Sequence, residues 1–441
     1  MSNPVLTCPC RTNSSGGRWQ AVNAGHPPPR PAVAASGRLR QAPRRLNAFS
    51  QELRRRLAEL EARGLRRVLP RVDSPPGPWI EVDGQRLLNF ASNDYLGLAH
   101  HAALREAAVR AVEQFGAGAT ASRLICGSLA PHQALEEALA RFKGLAAALS
   151  FASGYATALG AIPALVGPGD VVILDKLAHA CLVDAARLSG ARLRIFAHND
   201  PAQLEARLAW ARARVGALSP PGRVLVVTES VFSMDGDLAP LQEVVELKDR
   251  YGAVLLVDEA HATGVFGERG RGLIAAAGLT DRVEVHLGTL GKAIGAAGGF
   301  IAGTPELIEW LVHRARAFIY STAPVPAAAA AACAGVELAA GPEGEARRAR
   351  LRQRVRELRA GLAALGWPLP AAESPIVPLV VGEERAALEL AARLRAAGIF
   401  LPAIRYPTVP RGAARLRVSV SAAHTAEDVA RFCEALGRGP A

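Results

Sequence analysis

The stretch Val254-Leu255-Leu256-Val257-Asp258-Glu259-Ala260-His261 decides the fold. Four apolar residues in a row are too few for a buried helix and lack the alternation of a half-exposed strand. They fit a strand covered on both faces, as inside a parallel sheet. The run then stops abruptly at two acids and a histidine. Similar runs stand at 171–174, 224–227 and 283–287, with helical stretches between them. Strand alternating with helix predicts an α/β doubly wound layer that begins near residue 100. Residues 350–441 read helix–strand–helix–strand–helix, with strands near 376–381 and 416–420, which predicts a smaller α+β domain.

In an open parallel sheet, ligands bind beyond the carboxyl ends of the strands, so the residues after each apolar run are the candidates for chemistry. After Phe151 come Ser153, Gly154 and Tyr155 and then a helix. Backbone N–H groups at such a helix start suit a phosphate. After Leu174 comes His179. After Val227 comes a dense polar stretch from Thr228 to Asp237. Asp258 and His261, three residues apart after Val257, can face one pocket. Gly288-Thr289-Leu290-Gly291-Lys292 follows Leu287 and sets a lysine among small residues. Each feature alone fits an ordinary turn. Together, at successive strand ends, they point to one site.

Lysine is scarce. The chain has 52 basic residues, and only Lys143, Lys176, Lys248 and Lys292 are lysines. Lys143 and Lys248 fall on amphipathic helical patterns, and Lys176 sits beside Asp175 in a turn. That leaves Lys292. A lysine in a glycine-rich loop together with a strand-end acid suits pyridoxal phosphate (PLP), which needs an amine partner and an acid for its ring nitrogen. The stretch at 254–261 also reads like the magnesium motif of a helicase-type ATPase. Such an enzyme needs a G-x-x-x-x-G-K-[ST] loop upstream. The only Gly-Lys pair lies downstream, with His286 and Ala293 at the positions that should be Gly and Ser or Thr.

The formal net charge of +12 suggests nucleic acid. The charge is uneven, however. Residues 1–71 hold 14 arginines against Glu52, Glu59 and Glu61, whereas the remaining 370 hold 38 basic and 37 acidic groups. The catalytic body is therefore nearly neutral, and neither a nucleic-acid footprint nor a winged-helix regulator is expected. Residues 1–45, rich in Pro, Gly, Ser and Arg, read as a disordered basic extension. Residues 46–95 read as a charged helix, ended by Gly64, and a hairpin turning at Asp83–Gly84. The large domain is expected over 96–325 and the small one over 326–441. The six cysteines lack zinc or disulfide spacing and suit a reducing cytosol. No metal site and no membrane span are expected.

The residues also carry a resemblance. Ser92-Asn93-Asp94-Tyr95-Leu96-Gly97-Leu98, Phe196-Ala197-His198-Asn199-Asp200, Phe232-Ser233-Met234-Asp235-Gly236-Asp237, Asp258-Glu259-Ala260-His261, Gly288-Thr289-Leu290-Gly291-Lys292 and Tyr320-Ser321-Thr322 resemble the α-oxoamine synthases. These are PLP enzymes of fold type I (aspartate-aminotransferase-like). Their large domain has a mostly parallel sheet, and the C-terminal α+β domain is smaller. The similarity runs from about residue 46 to the end.

The resemblance is strongest to the branch that condenses L-alanine with a pimeloyl thioester, on CoA or acyl-carrier protein, in biotin synthesis. It implies an external aldimine and a quinonoid, a cytoplasmic homodimer with a shared active site, and neither nucleic-acid nor membrane partners. Tyr406-Pro407-Thr408-Val409-Pro410 also resembles the glycine-using 5-aminolevulinate synthases.

By motif position, Lys292 would carry the internal aldimine and Asp258 would pair with the ring nitrogen. His261 and Ser233 would contact the side of the ring bearing the 3-oxygen, and His179 would stack over the ring face and help hold the substrate. The backbone at Gly154 and Tyr155, with Thr289, would hold the phosphate, joined by Ser321 and Thr322 of a partner subunit. Asn93 and Arg417 would hold the amino-acid carboxylate. Arg66 and Thr408 would contact substrate.

Overall fold

The computed structural model describes residues 47–437. The extension expected over 1–45, with Cys8 and Cys10, lies outside the described residues. Two compact units divide between Glu59 and Leu60, within the helix Ala48–Ala62. In the first, Asn47 Oδ1 accepts from Ser50 N at 2.8 Å and starts that helix. Arg55 pairs with Glu59 and Arg56 with Glu52 along its surface.

The second unit is built on three sheets. The largest has seven strands: β3 (Ala147–Phe151), β4 (Val171–Asp175), β5 (Arg192–Phe196), β6 (Val224–Glu229), β7 (Val254–Asp258), β8 (Val285–Thr289) and β9 (Gly299–Gly303), in the order 3-9-8-7-6-4-5. The hairpin β1 (Trp79–Val82) and β2 (Gln85–Asn89) turns at Asp83–Gly84, as its sequence predicts, and is extended by the short β11 (Ile399–Phe400). Strands β10 (Ile376–Gly382), β12 (Ala403–Ile404) and β13 (Ala414–Ser419) form the third sheet. The strand expected at 283–287 is shifted to Val285–Thr289, because the residues at 280–282 form a turn of 3₁₀-helix that Val283 leaves.

Strands β3 to β8 run parallel, and β9 alone is reversed, pairing antiparallel with both β3 and β8. Side chains alternate between the faces of the layer. Val172, Leu174, Leu225, Val227, Leu256, Val285 and Leu287 pack on one side against the helices Gly154–Leu165 and Ala180–Leu188. Val171, Ile173, Val224, Val226, Leu255 and Val257 pack on the other, against Pro201–Gly216 and Leu241–Tyr251. Burying each such side chain contributes about 1.5–3 kcal/mol. That exceeds the roughly 1 kcal/mol range of strand propensities, so burial is what holds these runs extended. Because the strands are parallel, the residues that follow β3, β4, β6, β7 and β8 emerge along one edge. No helix among the described residues is long and apolar enough to cross a membrane.

Candidate active site

Lys292 lies in the return between β8 and the reversed β9. Hydrogen bonds from Leu290 N to Gly298 O (2.9 Å) and from Gly295 N to Lys292 O (2.9 Å) fix this loop. Lys292 Nζ is 2.8 Å from His261 Nε2. Burial lowers the Lys292 pKa, against the raising effect of the Asp258 and Glu229 carboxylates. A lysine so placed spends more time as the free amine than an exposed one.

Asp258 ends β7, is 5% exposed, and accepts a hydrogen bond from Ala260 N at 2.8 Å. Burial pushes its carboxyl up to about 6, and the Lys292 charge pulls in the other direction. A cation beside it, such as a protonated ring nitrogen, would restore it to a full carboxylate. The sheet register sets Glu229 of β6 directly beside Asp258. Glu229 is 2% exposed, and burial with the Asp258 charge drives its pKa well above the usual carboxylate range. Its carboxyl accepts the backbone N–H of His179 at 2.5 Å. That bond anchors the start of the helix Ala180–Leu188, whose N-cap is His179. Burial, reinforced by the Lys292 charge, lowers the His179 pKa, so the imidazole is neutral.

The start of Gly154–Leu165 abuts Thr289. A Cβ at Gly154 would sit 3.4 Å from the Thr289 side chain, and one at Gly299 would sit 2.7 Å from Gly154 Cα. Ser153 caps the helix through Ala156 N at 3.1 Å. The N–H groups of Gly154 and Tyr155 precede the first intrahelical bond and so stay available to an anion. The Tyr155 side chain itself turns away, to Asp184.

Arg417, on β13, donates to Ser233 O, to Asn93 Oδ1 at 3.0 Å and to Tyr95 Oη at 3.2 Å. The Ser233 loop is held against β10 at Gly236. This residue has φ +70°, and a Cβ there would lie 2.2 Å from Ile376 O. Outside lies a cavity of about 750 Å³, lined by His179, Ser233, Tyr406, Thr408, Lys176 and Arg67, among others.

The structure thus joins Lys292, His261, Asn93 and Arg417 through contacts, with Asp258 close enough to act on Lys292 by charge and His179 close enough to feel the Lys292 charge. Gly154 meets Thr289, and His179, Ser233 and Thr408 share the cavity wall. Arg66, Ser321 and Thr322 are placed elsewhere in this chain. Arg66 is exposed and paired with Glu61 at 2.6 Å, while its neighbour Arg67 lines the cavity. Ser321 and Thr322 line a small crevice with Arg123 and Ala152, and Thr322 bridges to Ser122. Tyr95 and Glu229 were not singled out from sequence, although both lie inside stretches that were.

The residues fit PLP. A buried acid, a desolvated amine, a neutral imidazole and an anion cradle all lie along one edge of the sheet. Residues 85–436 match the family of class I and II aminotransferases. An 8-amino-7-oxononanoate synthase of Anaeromyxobacter dehalogenans is 51% identical over 86% of this chain and 93% of its own length. The chain belongs to the 8-amino-7-oxononanoate synthase family. A second member of that family, from Geobacter metallireducens, is 46% identical over 89% of this chain and 99% of its own. Among solved structures, the 8-amino-7-oxononanoate synthase of Francisella tularensis has a TM-score of 0.66 at 27% identity, over 79% of this chain and 96% of its own. A serine palmitoyltransferase from S. paucimobilis, solved with a bound PLP–myriocin aldimine, has a TM-score of 0.82 at 30% identity. It covers 89% of this chain and 98% of its own.

Proposed function

We infer that the chain is a PLP-dependent acyltransferase that condenses L-alanine with a pimeloyl thioester and yields 8-amino-7-oxononanoate, CO₂ and the free thiol, a step of biotin synthesis. The observation that carries the reading is the Lys292 amine, desolvated and held 2.8 Å from a neutral His261 within the charge field of Asp258. When bound, the cofactor supplies an aldehyde for the amino group and a ring that withdraws electrons from the adjacent carbon.

Each residue has a part. Asp258 keeps the ring nitrogen protonated. The N–H groups of Gly154 and Tyr155, with Thr289, hold the phosphate. Arg417 and Asn93 grip the alanine carboxylate. His179 covers the ring face and narrows the entrance to the cavity. Lys292, once free of the cofactor, takes the α-proton as general base, a role its lowered pKa favours. The acyl chain lies in the cavity next to Thr408, with Arg67 and Lys176 at its rim. We further propose a cytoplasmic homodimer in which Ser321 and Thr322 complete the phosphate site of the partner subunit.

Turnover of alanine and glycine against pimeloyl and succinyl thioesters tests the assignment. Alanine with pimeloyl thioester should be the best pair. A preference for glycine would sink the assignment.

A further inference from the structure

The loop that carries Ser321 and Thr322 is held by more than the bridge from Thr322 to Ser122. Ala323 N donates to Ala121 O at 2.9 Å, and the two segments run antiparallel there. Side chains alternate across such a pairing. Ala323 is 8% exposed and faces inward, so the exposed Thr322 faces out. In the same two segments Leu124, Ile125, Tyr320 and Val325 are exposed as well. So many large apolar side chains on two paired segments fit a face that a second copy of the chain covers.

The far end of the loop is tied by His132, on the first turn of the helix Ala130–Lys143. His132 Nδ1 accepts from Leu129 N at 3.1 Å, and Nε2 lies 2.8 Å from Pro324 O. The first partner can only donate and the second can only accept. The side chain is fully buried, and burial lowers its pKa, so the ring is neutral and has one proton. That proton is on Nε2, where it is given to Pro324 O. Both partners are backbone groups of this chain, so the tether does not depend on a bound cofactor.

The near end of the loop is tied to the same helix. Arg123 donates from Nη1 and Nη2 to the two Glu136 oxygens at 2.9 Å each, and its guanidinium lies 5.4 Å over the Phe318 ring. Glu136 also accepts from Ser150 N at 2.9 Å and from Ser150 Oγ at 2.8 Å, which fixes the helix to β3. His132 and Glu136 are four residues apart and share one helical face. That face anchors the loop twice, at Phe318 through Arg123 and at Pro324 through His132.

We propose that His132 is a positioning residue for the phosphate site shared between subunits: it holds Pro324, and with it the outward-facing Thr322, where the loop reaches the cofactor phosphate of the partner subunit. Its action passes through the loop backbone. The inference rests on the shared site proposed above.

The test uses mixed dimers in which one subunit carries Lys292→Ala, so that only one site per dimer can give the absorbance band of lysine-bound cofactor. His132→Asn keeps an acceptor for Leu129 N but is too short to reach Pro324 O. With His132→Asn in the Lys292→Ala subunit, the working site is completed by the altered loop. Its dissociation constant for PLP should rise by about 10- to 100-fold, the worth of one hydrogen bond to a charged group. With His132→Asn in the other subunit, the working site is completed by an unaltered loop, and PLP affinity should match wild type. His132→Gln, whose amide reaches Pro324 O, should restore affinity in the first arrangement. Equal loss in both arrangements, loss only in the second, or no loss in either would overturn the proposal. The double variant Ser321→Ala, Thr322→Ala, placed in the same two arrangements, separates the causes. If it weakens only the first while His132→Asn changes neither, the shared site stands and His132 is reduced to packing. If it also leaves the first unchanged, the shared site fails and the proposal with it.

Discussion

Lys143→Met is the sharpest test of how this fold uses its few lysines. The Lys143 side chain is 2% exposed and that of Glu259 is 0% exposed, and the two form a buried ion pair. Lys143 Nζ also donates to Arg271 O at 2.5 Å, while Glu259 accepts from Ile274 N at 2.9 Å. Methionine keeps the length of the stem but removes the charge, which leaves the Glu259 carboxylate buried with a single backbone donor. Breaking one side of such a pair costs about 3–5 kcal/mol. Unfolding entropy near 2.1 cal/mol/K per residue gives roughly 0.8 kcal/mol/K for a unit of this size, so Tm should fall by about 4–6 °C.

Urea titration of the holoenzyme should show a lower midpoint at unchanged m. The double variant Lys143→Met, Glu259→Gln should recover much of the loss, because it removes the stranded charge. A single variant within 1 kcal/mol of wild type, or a double variant no better than the single, would refute the reasoning.

Lys292→Ala should fold with wild-type stability or better, lose the absorbance band of lysine-bound cofactor, and lose turnover. A full-strength band would refute the choice of lysine. Glu229→Gln should stay within about three-fold of wild type in kcat/KM, since the amide oxygen can still accept from His179 N and burial already disfavours the charge it removes. Glu229→Ala, which frees His179 N, should lose more than ten-fold, or about 1.4 kcal/mol; equal losses in the two would refute this. Burial opposes charge on His198, but the hydrogen bonds it donates to Asp175 and Asp237 hold its pKa up at about 10. The folded-state value lies above the unfolded one, near 6.5. The stabilisation from His198 is therefore fully present below pH 6.5 and lost as pH rises through about 10. The stability gap between wild type and His198→Gln should close over that window, and a gap that widens would contradict it.

The parallel layer was legible because buried strands are apolar on both faces, and the runs at 171–174, 224–227 and 254–257 are nothing else. Strand β5 (Arg192–Phe196) carries two arginines at a sheet edge, and β9 (Gly299–Gly303) opens and closes on glycine. Neither has that signature. The reversal of β9 was invisible for the same reason. In the site, Lys292, Asp258 and His261 stood out by residue type and strand-end position. Tyr95 did not, because a tyrosine in an apolar motif reads as core until its hydroxyl is seen facing His261. Glu229 became significant only once the register set it beside Asp258. Arg66 and Arg67 are adjacent and alike, and only the turn of the chain after Gly64 separates the one paired with Glu61 from the one at the cavity rim.

The reversal of β9 has a consequence for precision. The other crossovers in the layer leave one strand and return through a helix, so their strand-end residues are anchored on one side only. The loop bearing Lys292 is anchored on both. Thr289 and Gly299 are paired across adjacent strands, and only nine residues lie between them. A short closed loop has little conformational freedom to lose. The backbone beneath the lysine acts as a fixed pivot, and the four-carbon side chain is the only moving arm. Any swing between holding a cofactor and reaching a proton is thereby confined to rotations about a few side-chain bonds, which the protein can repeat without disturbing its sheet.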